Sequence, residues 1–147
     1  MQRQLRAIVF DDNESIRNLV KRVLEGRGYE VLIYTDPTEC PLQQSHECQC
    51  DETHVCSDIV ISDIDMPNVS GLEYVGQQLN KGCKVPNIAI MSGLWSESML
   101  EQAKALGCKT FEKPFALGAL TEWLKECESR IDPDKSLSDW FLRTKQQ

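Results

Sequence analysis

Short apolar runs alternate along the chain with segments in which apolar residues recur every three or four positions. Five runs have the length and composition of buried strands and cover residues 5–10, 29–35, 58–62, 85–92 and 109–112. Four segments have helical spacing and cover residues 14–26, 70–81, 96–106 and 117–130. Strands that alternate with helices predict an α/β fold in which helices cover both faces of a parallel sheet.

The first helical segment shows this pattern most clearly. Asn13 is a suitable N-cap residue, and Gly26 and Gly28 end the segment. The apolar residues that recur at helical spacing, and that we expect to face the core, are Ile16, Leu19, Val20, Val23 and Leu24.

The composition is typical of a single domain without a nucleic-acid or membrane partner. A chain of 147 residues has the usual size of one domain. The net charge is −7 and the basic residues are dispersed, which argues against a nucleic-acid-binding surface. No apolar run is long enough to cross a bilayer, and the N-terminal residues lack the features of a secretory signal. We therefore expect a cytoplasmic protein.

Polar side chains of complementary charge follow the predicted strands. Asp11 and Asp12 follow the first strand, Asp63 the third, Ser92 the fourth and Lys113 the fifth. Ligands of doubly wound sheets bind beyond the carboxyl ends of the strands, where these side chains would meet. Neighbouring carboxylates raise one another's pKa, and a Mg²⁺ ion with oxygen ligands would remove that conflict.

This set of side chains has the chemistry needed for phosphoryl transfer to a carboxylate. Asp63 would be the nucleophile, Lys113 would neutralise developing charge, and Ser92 would donate to the phosphoryl oxygens. Each residue taken alone is better explained as a turn former or a solvated charge. Their joint occurrence at the same end of successive strands favours the functional interpretation.

Four segments resemble the response-regulator receiver domain of two-component signalling. In chain order they are "VFDDN" (9–13), "DIVISDIDMPNVSGLE" (58–73), "IAIMSG" (88–93) and "FEKPF" (111–115). The resemblance covers about residues 5 to 130. It implies a (βα)5 flavodoxin-like fold with a doubly wound, parallel, five-stranded sheet. Residues 1–131 would form the receiver domain and residues 132–147 a C-terminal extension.

The resemblance also implies roles for individual residues. Asp63 would accept a phosphoryl group from a histidine kinase or a phosphotransfer protein. Asp11, Asp12 and Asp63 would bind Mg²⁺, together with the backbone carbonyl of Asp65. The Asp65 side chain would then lie at the mouth of the site, where we expect it to influence the attack of water on the acyl phosphate. No enzymatic activity is implied beyond the domain's own phosphorylation and dephosphorylation.

Switching in this family couples a serine or threonine to an aromatic residue on the fifth strand. Ser92 and Phe111 are the corresponding candidates here. The stretch between Gly107 and Lys113 is one residue shorter than the family pattern, so Thr110 is an alternative occupant of the aromatic position. Gly71 is expected to allow a backbone conformation that other residues resist.

Output from such a domain would require a partner. About 17 residues follow the last predicted helix, too few for an output domain. The expected contact surface for a downstream protein comprises residues 96–106, 109–112 and 117–130. A second copy of the chain is a further candidate partner.

Residues 38–57 are unusually rich in cysteine and histidine and replace the family's second helix. They include Cys40, His46, Cys48, Cys50, His54 and Cys56. These residue types suit a Zn²⁺ site or a thiol redox couple, although the spacing lacks the paired C-x2-C of strong zinc motifs. Ordinary packing is the third interpretation, and it is the one expected for Cys83, Cys108 and Cys127.

Two alternative functions remain open at this point. One is a metal- or redox-sensing module built on a receiver fold, with residues 38–57 as the sensor. The other is a phosphatase with an aspartyl nucleophile, similar to the haloacid dehalogenases, because Asp65 has the spacing from Asp63 that such enzymes use. These enzymes are larger, and their nucleophile follows the first strand, whereas Asp63 follows the third.

Overall fold

A parallel β-sheet forms the centre of the protein. The computed structural model describes residues 5–35, 54–55, 57–66, 70–80, 85–113, 116–131 and 136–137. The strands in this part of the chain are β1 (Arg6–Phe10), β2 (Glu30–Tyr34), β3 (His54–Val55), β4 (Ile59–Asp63), β5 (Asn87–Ser92), β6 (Lys109–Glu112) and β7 (Ser136–Leu137). The helices are α1 (Glu14–Gly26), α2 (Gly71–Asn80), α3 (Glu97–Ala105) and α4 (Leu117–Arg130).

Five of the strands form one sheet in the order β2-β1-β4-β5-β6, and every pair in it is parallel. This is the strand order of the flavodoxin-like folds. In it, the order in which successive strands are added to the sheet reverses next to β1. The predicted fold class is therefore confirmed. Each predicted strand and helix is present, with its ends within about two residues of the prediction, which is the usual uncertainty at element ends.

Alternate residues of the strands build two hydrophobic cores. Ala7 and Val9 point to the face covered by α1 and α4, which contribute Val20, Leu24, Leu120 and Leu124. Ile8 and Phe10 point to the opposite face, where Tyr74 and Val75 of α2 pack. Central strands buried on both faces explain why the sequence shows continuous apolar runs rather than alternation.

The inward face of α1 is narrower than predicted. Val20 and Leu24 are fully buried, and Ile16 and Val23 are partly buried against them. Leu19, by contrast, is 38% exposed. A helix packed on a sheet buries only a narrow stripe of its surface, so the outermost residue of its apolar face remains in contact with solvent.

The two short strands β3 and β7 were not predicted. They pair in parallel, with His54 opposite Ser136 and Val55 opposite Leu137. Two-residue strands are too short to produce a recognisable hydrophobic period. This pairing joins part of the C-terminal extension to the end of the cysteine-rich segment.

Most of the cysteine-rich segment lies outside the described residues. This applies to Cys40, His46, Cys48, Cys50 and Cys56, so a Zn²⁺ or redox site there stays a prediction. Cys83 also lies outside them. Cys127 is fully buried in the core between α1 and α4, as predicted, and Cys108 is partly buried at the opposite core. No helix in the described ranges combines the length and the apolar character needed to cross a bilayer.

Candidate functional site

Three charged side chains from separate strands meet at the carboxyl edge of the sheet. The Lys113 Nζ atom, just after β6, lies 2.9 Å from Asp11 Oδ2 and 3.4 Å from Asp63 Oδ1. Asp11 follows β1 and is completely buried, and Asp63 ends β4 with only 5% of its surface exposed. Residues separated by up to 102 positions in the chain thus form one ion-pair network.

The turn between β1 and α1 fixes the position of Asp11. The backbone N–H of Asn13 donates to Asp11 Oδ1 at 2.8 Å, and Arg17 donates to the Asp11 carbonyl oxygen at 2.9 Å. Asn13 is the N-cap of α1, as predicted, because its side chain accepts from the Ile16 N–H at 3.1 Å. The start of the helix and the orientation of Asp11 are therefore determined by the same few residues.

A third carboxylate completes an acidic cluster. Carboxylate oxygens of Asp11, Asp12 and Asp63 all lie within 4.8 Å of one another. Asp12 is exposed, so the cluster opens to solvent on one side. Oxygen ligands from one or two carboxylates plus water are what Mg²⁺ prefers. The donor set fits a hard divalent cation, which would offset the repulsion within the cluster.

The electrostatics of Asp63 reflect this crowding. Burial, and after it the negative charge of Asp11, raise the pKa of Asp63, which lies at about 6. Lys113 and the backbone N–H of Asp65, which donates to Asp63 Oδ1 at 3.3 Å, act in the opposite direction. Burial would lower the pKa of Lys113, but hydrogen bonds and attraction from Asp11 and Asp63 outweigh it and raise that pKa. Lys113 therefore stays protonated and positively charged, beside an Asp63 carboxyl group that is costly to ionise.

Ser92 lies at the same edge, and its hydroxyl is hydrogen-bonded to the loop that follows β5. The Ser92 Oγ atom donates to the Leu94 carbonyl oxygen at 3.2 Å and accepts from the Leu94 N–H at 3.1 Å. The Ser92 carbonyl oxygen accepts from the Lys113 N–H at 2.8 Å. The backbone of Ser92 is thus held next to Lys113, while its side chain is occupied by the loop that follows β5.

Phe111 does not lie where the predicted switch needs it. It pairs in register with Met91, shares the α1–α4 core with it, and packs edge-to-face on Trp123 with ring centroids 5.9 Å apart. Ser92 follows Met91 on β5, so its side chain points to the opposite face of the sheet. The ring of Phe111 therefore cannot fill space that Ser92 leaves. Thr110, which pairs with Ile90, is on the same face as Ser92.

Gly71 supports the site for a reason different from the one predicted. Its backbone is not in the left-handed region, which the described glycines Gly28 and Gly107 occupy. Instead, a Cβ atom on Gly71 would lie 2.5 Å from the carbonyl oxygen of Asp63. The Gly71 N–H also donates to the Ile64 carbonyl oxygen at 3.0 Å. The start of α2 thus packs directly on the end of β4, and only glycine allows this approach.

Trp95 is a residue near the site that the sequence did not indicate. Its indole Nε1 donates to the carbonyl oxygen of Phe111 at 2.9 Å, and the ring packs partly buried against the core under α2 and α3. No spacing rule marks a tryptophan three residues after a strand-end serine. The contact depends on how β5 and β6 lie side by side.

The family comparison agrees with this architecture. Residues 7–125 match the family model of the response regulator receiver domain. The chain is 38% identical over 86 residues to the CAI-1 autoinducer sensor kinase/phosphatase CqsS of Vibrio cholerae, a match covering 58% of this chain and 11% of that protein. It is 27% identical over 135 residues to the response regulator MprA of a Mycobacterium species, covering 89% of this chain and 54% of that protein. The chain thus spans about half or less of these two relatives.

Solved structures give the same result. The chemotaxis protein CheY4 of Vibrio cholerae superposes with a TM-score of 0.66 at 27% identity, over 84% of this chain and 98% of that one. The Francisella response regulator 1452 receiver domain superposes with a TM-score of 0.71 at 19% identity, which shows likeness of fold. The matched residues include β1, β4, β5 and β6 with the charged cluster at their carboxyl edge. The chain therefore belongs to the response regulator receiver domain family.

Proposed function

We propose that Asp63 accepts a phosphoryl group from a histidine kinase or a phosphotransfer protein and that its phosphorylation is the signal. Receiver domains are in general phosphoryl-accepting switches and not enzymes that turn over an external substrate. The observation that carries the proposal is the position of Lys113, whose ammonium lies between the buried Asp11 and the nearly buried Asp63. A cation in this place can compensate negative charge that is added to Asp63.

The transfer step balances as an exchange between two groups. A carboxylate oxygen of Asp63 attacks the phosphorus of a phosphohistidine, an oxygen–phosphorus bond forms, and the phosphorus–nitrogen bond breaks. The donor imidazole leaves with the bonding electron pair and takes up a proton. Water later attacks the same phosphorus, which releases inorganic phosphate and restores the Asp63 carboxylate. Lys113 holds its positive charge beside the reacting oxygens in both steps.

Four groups would hold a magnesium ion at this site. They are the carboxylates of Asp11, Asp12 and Asp63 and the backbone carbonyl of Asp65. The distances of up to 4.8 Å among the three carboxylates support this assignment. When bound, Mg²⁺ supplies charge neutralisation for the phosphoryl oxygens.

Ser92 would act only after its side chain turns. Its single hydroxyl proton is given to Leu94 in this arrangement, so donation to a phosphoryl oxygen requires that bond to break. The exposed carboxylate of Asp65 has a separate role, because it can align or repel the attacking water. Replacing Asp65 with alanine should change the lifetime of the acyl phosphate, and an unchanged dephosphorylation rate would remove that role.

We infer that the signal passes to a downstream protein through the surface formed by α3, β6 and α4. Ser92 and Lys113 both adjoin this surface through β5 and β6, which supports the route. The domain responsible would comprise residues 1–131, acting in the cytoplasm, with residues 132–147 as an extension.

Phosphorylation with a small donor tests the proposal directly. The protein is incubated with acetyl phosphate and Mg²⁺, and intact mass spectrometry records the gain of one phosphoryl group. Asp63→Asn should abolish the gain, whereas the matched variant Asp65→Asn should keep it. Equal labelling of wild type and Asp63→Asn would refute Asp63 as the acceptor. Repeated hydrolysis of a phosphate ester would favour the aspartyl phosphatase instead.

A further inference from the structure

We propose that Trp95 is a positioning residue that holds the loop after β5 in its resting arrangement and is released when Asp63 is phosphorylated. This inference rests on the proposed function of Asp63. It assigns to Trp95, in this chain, the coupling between the phosphoacceptor site and the surface near α3 and β6. Four observations on residues 92–95 and on β6 carry it.

The first observation is that Ser92 has two mutually exclusive partners. Its hydroxyl makes a reciprocal pair of hydrogen bonds with the backbone of Leu94, at 3.2 Å and 3.1 Å. A hydroxyl has one proton to donate, so Ser92 cannot keep the bond to the Leu94 carbonyl and also donate to a phosphoryl group on Asp63. Phosphorylation of Asp63 therefore breaks the bond that Ser92 donates to Leu94 and leaves at most the bond that Ser92 accepts, which weakens the contact that closes this loop.

The second observation is that little else holds the middle of the loop. Leu94 is 85% exposed, so its side chain contributes almost no packing. A Cβ atom placed on Gly93 would have no neighbouring atom within 4 Å. Once Ser92 turns away, the backbone at Gly93 and Leu94 has space to move.

The third observation is the anchor at the far end of the loop. The Trp95 indole donates to the Phe111 carbonyl oxygen at 2.9 Å, and its ring is partly buried against the core under α2 and α3. Phe111 lies on β6, two residues before Lys113, which directly follows that strand. The indole thus ties the loop that follows Ser92 to the strand that precedes Lys113.

The fourth observation concerns the face of the sheet. Phe111 directs its ring to the α1–α4 core, away from Ser92, and the residues on the Ser92 side of β6 are Thr110 and Glu112, neither of them aromatic. Phe10, Tyr34 and Tyr74 also lie on that side, but Trp95 is the aromatic residue within the loop that follows β5. A movement of Leu94 reaches Trp95 through one peptide bond, so the indole is the aromatic group placed to respond.

These contacts define two arrangements of one loop. In the resting arrangement Ser92 bonds to Leu94 and Trp95 bonds to Phe111. In the phosphorylated arrangement Ser92 bonds to the phosphoryl group, and the indole leaves the Phe111 carbonyl. Ligands shift such equilibria according to their different affinities for the two arrangements. Weakening the Trp95 anchor should therefore favour the phosphorylated arrangement.

Beryllofluoride with Mg²⁺, a stable mimic of the phosphoryl group, provides the test. Its binding to the full chain is followed by fluorine NMR, and the response of the loop is followed by tryptophan fluorescence. Trp95→Phe keeps an aromatic ring but loses the indole N–H. Trp123→Phe is the matched control, because Trp123 is 6% exposed in the opposite core, packed on the Phe111 ring.

We expect the fluorescence change on beryllofluoride binding to persist in Trp123→Phe and to disappear in Trp95→Phe. Loss of one hydrogen bond from the resting arrangement should tighten beryllofluoride binding by about threefold to tenfold in Trp95→Phe. In isotopically labelled wild type, the Trp95 indole N–H should exchange faster with solvent when beryllofluoride is bound. The exchange measurement is made on the wild-type protein, so it tests the role of Trp95 even if Trp95→Phe folds poorly.

The possible failures are distinguishable. If beryllofluoride binds but the Trp95 indole shows neither a fluorescence change nor faster exchange, the inference about Trp95 is wrong and the function of Asp63 stands. The same conclusion follows if Trp95→Phe binds beryllofluoride as wild type does, or more weakly. If wild type shows no bound beryllofluoride at all, the proposed function and the role of Trp95 both fail.

Discussion

The close approach of α2 to the phosphoacceptor strand leads to a sharp prediction for Gly71→Ala. The added methyl group would lie 2.5 Å from the Asp63 carbonyl oxygen, 3.2 Å from the Asp63 carbonyl carbon and 3.1 Å from Ser62 Oγ. Ser62 Oγ itself donates to that carbonyl oxygen at 2.9 Å, so it cannot simply move aside. Either the start of α2 or the end of β4 must shift.

The size of the effect follows from two opposing contributions. Overpacking against fixed backbone typically costs about 1–3 kcal/mol. Replacing glycine with alanine recovers about 0.5–1 kcal/mol through the smaller entropy of the unfolded chain. We expect a net loss in the free energy of unfolding of about 1–2 kcal/mol. With an m value of about 2 kcal/mol/M, the urea midpoint should fall by about 0.5–1 M.

Gly76→Ala provides the matched control for this experiment. Gly76 lies in the same helix, its φ is not in the left-handed region, and a Cβ atom there would meet nothing within 4 Å. Its replacement should raise stability by about 0.5–1 kcal/mol, the difference in helix propensity. The phosphorylation rate should fall in Gly71→Ala and stay unchanged in Gly76→Ala, because only the first displaces Asp63. Equal stability of Gly71→Ala and Gly76→Ala would contradict the predicted clash with the Asp63 carbonyl oxygen.

Three further predictions concern the metal site and the core. Mg²⁺ at ten times its dissociation constant should raise the free energy of unfolding by about 1.4 kcal/mol, as measured by thermal unfolding. Mg²⁺ should stabilise Asp63→Asn less, and equal stabilisation of the variant and wild type would contradict the proposed site. Glu128→Gln should lower the free energy of unfolding by about 1–2 kcal/mol in urea, because Glu128 Oε2 accepts a hydrogen bond from Arg27 Nε at 2.9 Å in a partly exposed ion pair. An unchanged urea midpoint would mean that this ion pair does not stabilise the protein. Burial raises the pKa of the Cys127 thiol to about 11, so the unfolded chain loses this proton first and stability should decline as the pH rises from 9.0 towards 11. Replacing Cys127 with alanine should remove that part of the decline, and an identical pH profile in the variant would contradict the assignment.

Local rules account for the elements that the sequence predicted correctly. Strands β4 and β5 are buried on both faces, so they appear as uninterrupted apolar runs. The Asn13 cap depends on contacts within four residues of the chain, and it was predicted for that reason. Asp11, Asp63 and Lys113 were identified because the carboxyl ends of parallel strands necessarily share one edge. Each of these features depends either on neighbouring residues or on the fact that parallel strands end at the same edge of the sheet.

The misplaced residues all depend on contacts between distant elements. Phe111 was assigned to the switch from its type and its position near Lys113, but the register of β6 against β5 turns its ring to the other face. A shift of one residue along a strand reverses the face to which a side chain points, and the sequence does not fix that register. Gly71 was recognised as special, yet its reason is the proximity of the Asp63 carbonyl, which no local preference reveals.

The sequence by itself determined the strand and helix order, the parallel sheet and the charged residues at its edge, because these follow from hydrophobic period and residue type. Tertiary structure alone decided that Lys113 reaches both Asp11 and Asp63, that Ser92 bonds to Leu94, and that the Trp95 indole anchors its loop on β6. Hydrogen bonds and ion pairs act over about 3 Å, so their partners are set by how elements pack against each other and not by distance along the chain.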